Sequence, residues 1–419
     1  MCLAKIINPS PALRQFIRQM HLPFSKPQMN HLINMTDALL TCEEDEKTLS
    51  ALQRTHYGET DVYAIADFFR LSPWEQTLVE KSRIAFMFER ALAENPATAT
   101  LHLSFDDSLL TKPEASQGLE GFDWYKDHNT GASVWAMCFV TCHVHLGNYS
   151  FTAGRRLYLR EKTVKRLNRK RTPGNKLVFK TKYQLVKELL HEWSEYLRDR
   201  KVCVMFDSWY ASNKLIKYCQ AQGFRVICSI KGNRRFDGKR LRRIARGVWQ
   251  KSWTRMVLSS ADGHRTYWTY KLKGHLRGLP GTVTVIISKR HHRDKRPEYF
   301  LCTDTKLPVK AILQGYTKRW SVEVDYLYLK GWLGLADLRM RKLEGIDRFF
   351  SVVFLALNYL QFQQVQQSKN GQKALSLSQL IDQHRQQHAR AVIVAIVKQA
   401  QRGKSTEKIL EFFCREEAA

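Results

Sequence analysis

Three acidic residues far apart in the chain, Asp107, Asp207 and Glu323, each sit where a divalent cation could be held. Residues 99–105 and 202–206 are apolar, strand-like runs, and each leads straight into acid: the doublet Asp106-Asp107 after the first, Asp207 after the second. Glu323 lies in a helical stretch, 309–331, where Tyr316, Arg319, Trp320, Glu323 and Lys330 recur at spacings of three, four and seven. Residues so spaced project from nearly one helical face. A carboxylate with an Arg one turn before it and a Lys two turns after suits a phosphate-bearing substrate, the acid holding metal while the cations grip the phosphate backbone. Hard cations such as Mg²⁺ prefer carboxylate oxygens, and a pair of them about 4 Å apart both activates water and stabilises the leaving oxygen of a phosphodiester. The chemistry expected is therefore phosphoryl transfer at two Mg²⁺ ions, with Mn²⁺ as a substitute.

Rivals for these roles are close at hand. Asp106 and Asp107 point to opposite faces of an alternating strand, so only one of them joins the site. Asp325 lies about 200° round the helix from Glu323 and off the Tyr316 stripe. Asp304 ends a further strand, but Thr303-Asp-Thr-Lys-Leu-Pro308 reads as a turn. An Asp followed by Ser and then a helix, as at Asp207, also serves as a helix cap.

The elements that must position these acids follow from hydrophobic period and breakers. Residues 1–97 read as helices, including 61–69 and 74–92, followed by the linker-like Glu94-Asn-Pro-Ala-Thr98. The period then becomes extended: strands at 99–105, 133–145 and 149–159, a helix at 183–200, a strand at 202–206 ending at Asp207, a helix at 211–222 and a strand at 224–230. Acids thus stand at the carboxyl ends of the first and fourth strands. Residues 232–299 contain strand-like stretches at 254–258, 266–272 and 282–288 and read as an inserted β region. Helices resume at 309–331 and 345–364, and the Gln-rich tail from 365 to 419 turns helical again near 389–399.

With the elements in place, Tyr316-(2)-Arg319-(3)-Glu323-(6)-Lys330 resembles the signature of a large branch of bacterial insertion-sequence transposases of the DDE class. Phe206-Asp207-Ser208-Trp209-Tyr210 resembles that branch around its second catalytic Asp, and Asp107-Ser108 resembles its first motif, which favours Asp107 over Asp106. The resemblance extends from about residue 30 to 364. It implies an α/β fold: an RNase-H-like core with a mixed five-stranded sheet (98–231 and 300–364) interrupted by the β region (232–299), with a helical N-terminal domain (1–97) binding the element's ends and a helical C-terminal tail (365–419). It also implies cleavage at the inverted ends of the element and joining of the 3′-hydroxyls to target DNA, on double-stranded DNA and as a homodimer. An inserted Trp would hold a flipped base, for which Trp249, Trp253 and Trp268 are candidates. The alternatives are an RNase-H-like nuclease without strand transfer and a transposase-derived DNA-binding regulator; a regulator would not need all three acids.

Composition agrees with a polyanionic partner. The 419 residues hold 68 Lys and Arg against 39 Asp and Glu, a net charge of +29. Such a surplus favours nucleic acid, because each neutralised phosphate releases counterions. Two basic runs flank the site, 155–176 and 231–255, the second with Trp249 and Trp253 among its cations. Within it, Arg234, Arg235, Lys239, Arg240, Arg242 and Arg243 join Tyr316, Arg319, Trp320 and Lys330 as expected DNA contacts. Nine irregularly spaced cysteines argue against a disulfide framework. Cys138 and Cys142 face away from His143 and His145 on one strand, which excludes a convergent zinc site there. No signal peptide or membrane span is legible, so a cytoplasmic location is expected.

Overall fold

The computed structural model describes residues 8–56, 61–113, 118–127, 130–260, 263–337 and 339–413. Five helices come first: α1 (Pro11–Arg18), α2 (Lys26–Thr41), α3 (Leu49–His56), α4 (Val62–Arg70) and α5 (Gln76–Ala93). Proline in the first turn starts both α1 and α2, and Ser25 with Gln28 forms a capping box on α2. Pro11 and Pro27 thus open two helices within the stretch 1–97 that reads as helical. Asp61 caps α4 by accepting from the Tyr63 amide at 3.0 Å.

The chain then turns extended. Strands β1 (Thr100–Thr111), β2 (Asp123–Lys126), β3 (Ser133–Leu146) and β4 (Tyr149–Tyr158) precede α6 (Glu161–Asn168), α7 (Lys182–Glu192) and α8 (Ser194–Leu197). The helix expected as one piece over 183–200 breaks at Trp193, whose indole is buried against Phe88 and Phe105. Next come β5 (Lys201–Phe206), α9 (Asn213–Ala221), β6 (Arg225–Ser229), the small hairpin β7 (Arg235–Phe236) and β8 (Lys239–Arg240), α10 (Leu241–Gly247), and β9 (Thr254–Ser260), β10 (Gly263–Gly274), β11 (Val283–Lys289) and β12 (Glu298–Cys302). The turn of the β7–β8 hairpin is Asp237-Gly238, both at positive φ (43° and 79°), as a tight two-residue hairpin requires.

One sheet collects ten of these strands. Its spine runs β2-β3-β1-β5-β6-β12-β11-β10-β9, with β4 also on β3. Strand β1 is antiparallel to β3 and parallel to β5, and β5 is parallel to β6. The antiparallel strand β12 joins β6 to β11, so β9–β12 continue the main sheet edge to edge, while β7 and β8 form a two-stranded sheet of their own.

Strand β1 does not stop at the acid doublet. It stays paired with β3 as far as Thr111 opposite Ala136, while its parallel partner β5 ends at Phe206 opposite Phe105. Asp106 and Asp107 are thus mid-strand, at the point where the parallel neighbour has just run out.

Helices α11 (Val309–Thr317), α12 (Trp320–Gly331), α13 (Leu343–Lys369), α14 (Leu377–Gln401) and α15 (Thr406–Phe413) complete the chain. The stretch read as a single helix over 309–331 is two, jointed at Lys318-Arg319. Helix α12 lies across β1 and β3, and α13, buried on nearly all sides, packs against α2, α4, α5 and β4. No helix among the described residues is long and apolar enough to cross a membrane. The described cysteines are free and buried.

Candidate active site

Register decides which acids meet. In a parallel pair, matched residues point to the same side of the sheet, and Asp106 and Asp207 each stand one step beyond the last matched pair, Phe105 and Phe206. Helix α12 covers the face of β1 that carries His102, Ser104, Asp106 and Ser108. From the α11–α12 joint, Arg319 reaches down with both arms, Nη1 donating to Asp106 Oδ2 at 2.9 Å and Nη2 to Glu323 Oε1 at 2.6 Å. Burial, with Asp207 and Asp107 adding to it against the opposing pull of Arg319, pushes the Asp106 carboxyl up to about 7. Asp207 Oδ1 accepts from the amides of Trp209 at 2.9 Å and Tyr210 at 3.1 Å, which holds the loop after β5 in a tight turn. Its Oδ2 has no hydrogen-bond partner among the described residues.

Asp107, the first ligand expected from sequence, faces the other way. Its Oδ2 accepts from Lys182 Nζ at 2.5 Å and its Oδ1 from the Tyr210 hydroxyl at 2.8 Å, with the Cys138 thiol 3.7 Å from Oδ2. Lys182 also lies 4.7 Å from the Trp209 ring centroid and 5.3 Å from that of Tyr158. The cause is strand parity: because β1 continues past the doublet, 106 and 107 alternate as ordinary strand residues. Parity was readable, since Leu101, Leu103 and Phe105 share the side of Asp107 while His102 and Ser104 share that of Asp106. Lys182 carried a signal too, as the first residue of a helix opened by the capping box Thr181-x-x-Gln184.

The remaining members of the helical stripe divide. Tyr316 packs against Phe300, ring centroids 4.8 Å apart, with the Arg319 guanidinium 5.6 Å from its own ring. Lys330 Nζ donates to Ser108 Oγ at 2.7 Å and to the Leu109 carbonyl at 2.6 Å, pinning α12 to β1 beyond the acids. Trp320 stands 62% exposed at the start of α12. Asp325 lies on the buried side of that helix, against His143. Among the described residues no group of three or more His, Cys, Asp and Glu is clustered at metal-binding distance, the Cys138–His145 segment included. Between Asp106 and Glu323 the bridging charge is the Arg319 guanidinium.

A family model described as "DDE superfamily endonuclease" matches residues 21–252, more than half of the chain. The chain belongs to the DDE superfamily of endonucleases. A second model, "Transposase DDE domain", matches 178–359, so the two overlap at Asp207 and between them take in the acid doublet and Glu323. Together they support a transposase. A solved structure of piggyBac transposase, in a synaptic complex with hairpin DNA, is similar over 97% of this chain and 83% of that one, with a TM-score of 0.50 and 11% identity. At that identity the likeness speaks for the fold, an RNase-H-like mixed sheet with helices. A search of curated proteins finds no match.

In this DDE endonuclease the basic residues of the second run have different fates. Arg235, Lys239, Arg240, Arg242 and Arg243 are exposed on the β7–β8 hairpin and α10, and Trp249 beside them is 77% exposed. Arg234 instead turns inward, donating to the Ala211 carbonyl at 2.9 Å and to Asn213, and so braces the segment after Asp207. Trp253 is buried with Lys289 Nζ 4.3 Å from its ring, and Trp268 packs edge-on against His292. A groove of about 1200 Å³ runs between the α11–α12 joint and the β9–β12 strands, lined by Tyr267, Arg290, Tyr316 and Trp320 among others.

Proposed function

We propose that the protein is the transposase of a bacterial insertion sequence. It binds the inverted ends of the element as a homodimer, cleaves the DNA there and joins the freed 3′-hydroxyls to target DNA. The observation that carries this reading is the chain Asp106–Arg319–Glu323, with Asp207, like Asp106, one residue beyond the last matched pair of β1 and β5. The ligand set is Asp106, Asp207 and Glu323, with Asp106 in the role that the Asp-Ser resemblance gave to Asp107.

Three carboxylates offer only hard oxygen donors, which suits Mg²⁺ or Mn²⁺. A buried carboxyl held up near 7 also calls for more positive charge than Arg319 alone supplies if it is to ionise at neutral pH. The donor set therefore fits a pair of divalent ions, which when bound would lower the pKa of water and stabilise charge on the phosphoryl oxygens. The residues do the rest. Arg319 fixes Asp106 and Glu323 relative to each other with its planar fork. The amides at 209 and 210 orient Asp207. Exposed Arg242, Arg243 and Trp249 hold the DNA backbone and a base face, and Trp320 lies beside the groove where a strand end would enter. Attack by water in line with the 3′-oxygen frees a 3′-hydroxyl, and that hydroxyl then attacks a phosphodiester of target DNA or of the opposite strand. The exchange costs little net bond energy, so positioning and electrostatics supply the acceleration.

The test is incubation of the protein with DNA carrying its flanking inverted ends and Mg²⁺ or Mn²⁺, resolved on a denaturing gel. Nicks at the ends and joined products are expected. Cleavage without joining, even from pre-cut ends, would leave only a nuclease.

A further inference from the structure

Helix α12 is attached to the sheet by two kinds of contact. Val322, Tyr326 and Leu329 supply buried apolar area. Beside them runs a polar stripe. Ser321 Oγ is 2.9 Å from His145 Nε2, Asp325 Oδ2 is 2.6 Å from His143 Nδ1, and the Tyr326 hydroxyl is 2.6 Å from Thr141 Oγ1. The three strand partners are alternate residues of β3 and so share one face, advancing about 6.6–6.8 Å per step. From Ser321 to Asp325 the helix rises about 6 Å. Over that first step strand and helix advance together, and the longer Tyr326 side chain reaches on to Thr141.

The central pair is backed from a third element. Gln361 of α13 donates Nε2 to Asp325 Oδ1 at 2.8 Å, while its Oε1 accepts from the Thr152 amide at 2.9 Å and from Asn358 at 2.7 Å. His143 Nε2 lies 2.8 Å from Ser150 Oγ. Asp325 is only 2% exposed, and His143 and Gln361 are comparably buried. Removing such groups from water costs several kcal/mol that an apolar contact of the same volume would not incur. Apolar contact, however, is non-directional and leaves a helix free to roll, whereas hydrogen bonds of fixed direction stop it. Glu323, two residues before Asp325, stands about 160–200° round the same helix. A roll of about 20° would carry a carboxylate some 6 Å from the axis by roughly 2 Å, many times the tolerance of a metal–ligand distance.

We propose that Asp325, clamped between His143 and Gln361, is a positioning residue that sets the rotation of α12 and thereby aims Glu323 at the acid site. This rests on the reading of Asp106, Asp207 and Glu323 as metal ligands, and goes beyond it in assigning the residues that orient one of them.

The experiment measures Mn²⁺ binding to the full chain by electron paramagnetic resonance, well below the melting temperature of every protein compared. Glu323→Gln sets the scale. Asp325→Asn replaces one of the two acceptor oxygens by an NH2 group, so the side chain can no longer accept from Gln361 and His143 at once; Mn²⁺ affinity should fall about tenfold, as for other residues that orient a ligand. Asp325→Asn combined with Gln361→Glu moves the carboxylate to the other side of the same hydrogen bond. Affinity should then return to within about threefold of the parent, a reciprocal rescue that a role in stability alone does not predict. If Asp325→Asn does not fold, Tyr326→Phe, which removes only the bond to Thr141 in the same stripe, takes its place with a loss of two- to fourfold expected. Unchanged affinity in the folded single variant, or a loss that the swap does not recover, overturns the proposal. Should the parent bind no Mn²⁺, or bind it equally after Glu323→Gln, it is the underlying metal reading that fails.

Discussion

Two adjacent aspartates on β1 live in different worlds. Asp106 looks toward α12, shares Arg319 with Glu323, and is pushed toward neutrality by burial and by Asp207. Asp107 looks toward Lys182 at the start of α7 and the Tyr210 hydroxyl of the loop after β5, and these satisfy it. The first carboxylate lacks enough positive charge; the second is already paired. On the proposed reading it is Asp106 that a cation would join, while Asp107 ties the start of α7 to the loop that carries Asp207. Composition is identical at the two positions, and the difference comes entirely from what the rest of the fold brings to each face.

The sharpest break of this comparison is to neutralise each acid in turn. Asp106→Asn should lower end cleavage by at least about a thousandfold, as expected when a ligand essential to a two-metal site is lost, while DNA binding persists. Equal cleavage by Asp106→Asn and the parent in Mg²⁺ would exchange the roles of the two residues. Asp107→Asn should act on stability first. It leaves the Lys182 ammonium, 14% exposed, without its carboxylate, at a cost of roughly 1–3 kcal/mol in chemical denaturation. Cleavage in that variant should drop tenfold or less, through the Tyr210–Asp207 turn.

Arg319→Lys probes the Asp106 side alone. An ammonium is a point charge and cannot hold two carboxylates in a planar fork, so a 10- to 100-fold loss of cleavage is expected, with binding nearly unchanged. Away from both faces, alanine at Arg242 and Arg243 should reduce the salt dependence of DNA binding by about two units of slope. Alanine at Arg234 should leave that slope alone and weaken cleavage, because Arg234 braces the segment after Asp207.

The smallest effect is a pH dependence on the α12 side of β1. Burial, reinforced by Lys318, pulls His102 down to about 4 from its ordinary 6.5. A base with a depressed folded pKa contributes stability above its unfolded pKa and loses it as pH falls through the folded one. Melts between pH 6.5 and 4 should therefore lose on the order of 1–2 kcal/mol through this residue, and His102→Asn should flatten that part of the profile.

Much of this molecule could be read from its chain. The strands at 133–146, 149–158, 201–206 and 225–229, the long helices α5 and α13, and the Tyr-Arg-Glu-Lys stripe all follow from period, caps and breakers, because each is a local pattern. The joint at Lys318-Arg319 and the break at Trp193 were hidden, since both interrupt an unbroken helical pattern. The helical character of residues 1–97 was legible too, but the bounds of α1 and α2 were not, since each is set by a proline in its first turn. In the strands after residue 232, sequence marks pleats but not partners. That β12 bonds to β6, and so extends the main sheet, is a long-range pairing with no local trace.

What the sequence alone determined is the inventory: acids at or after buried strands, a carboxylate between two cations on one helical face, and a basic surplus suited to DNA. What only the tertiary structure decided is which acid of the doublet faces α12, and which carboxylate of that helix turns to Arg319 and which to His143. The physical reason is the same in both cases. A strand alternates and a helix rotates whatever lies nearby, so their side chains take opposite or distant directions with no intrinsic preference. The choice falls to the neighbours that pack against them: the end of β5 and the α11–α12 joint for Asp106, Lys182 and Tyr210 for Asp107, His143 and Gln361 for Asp325.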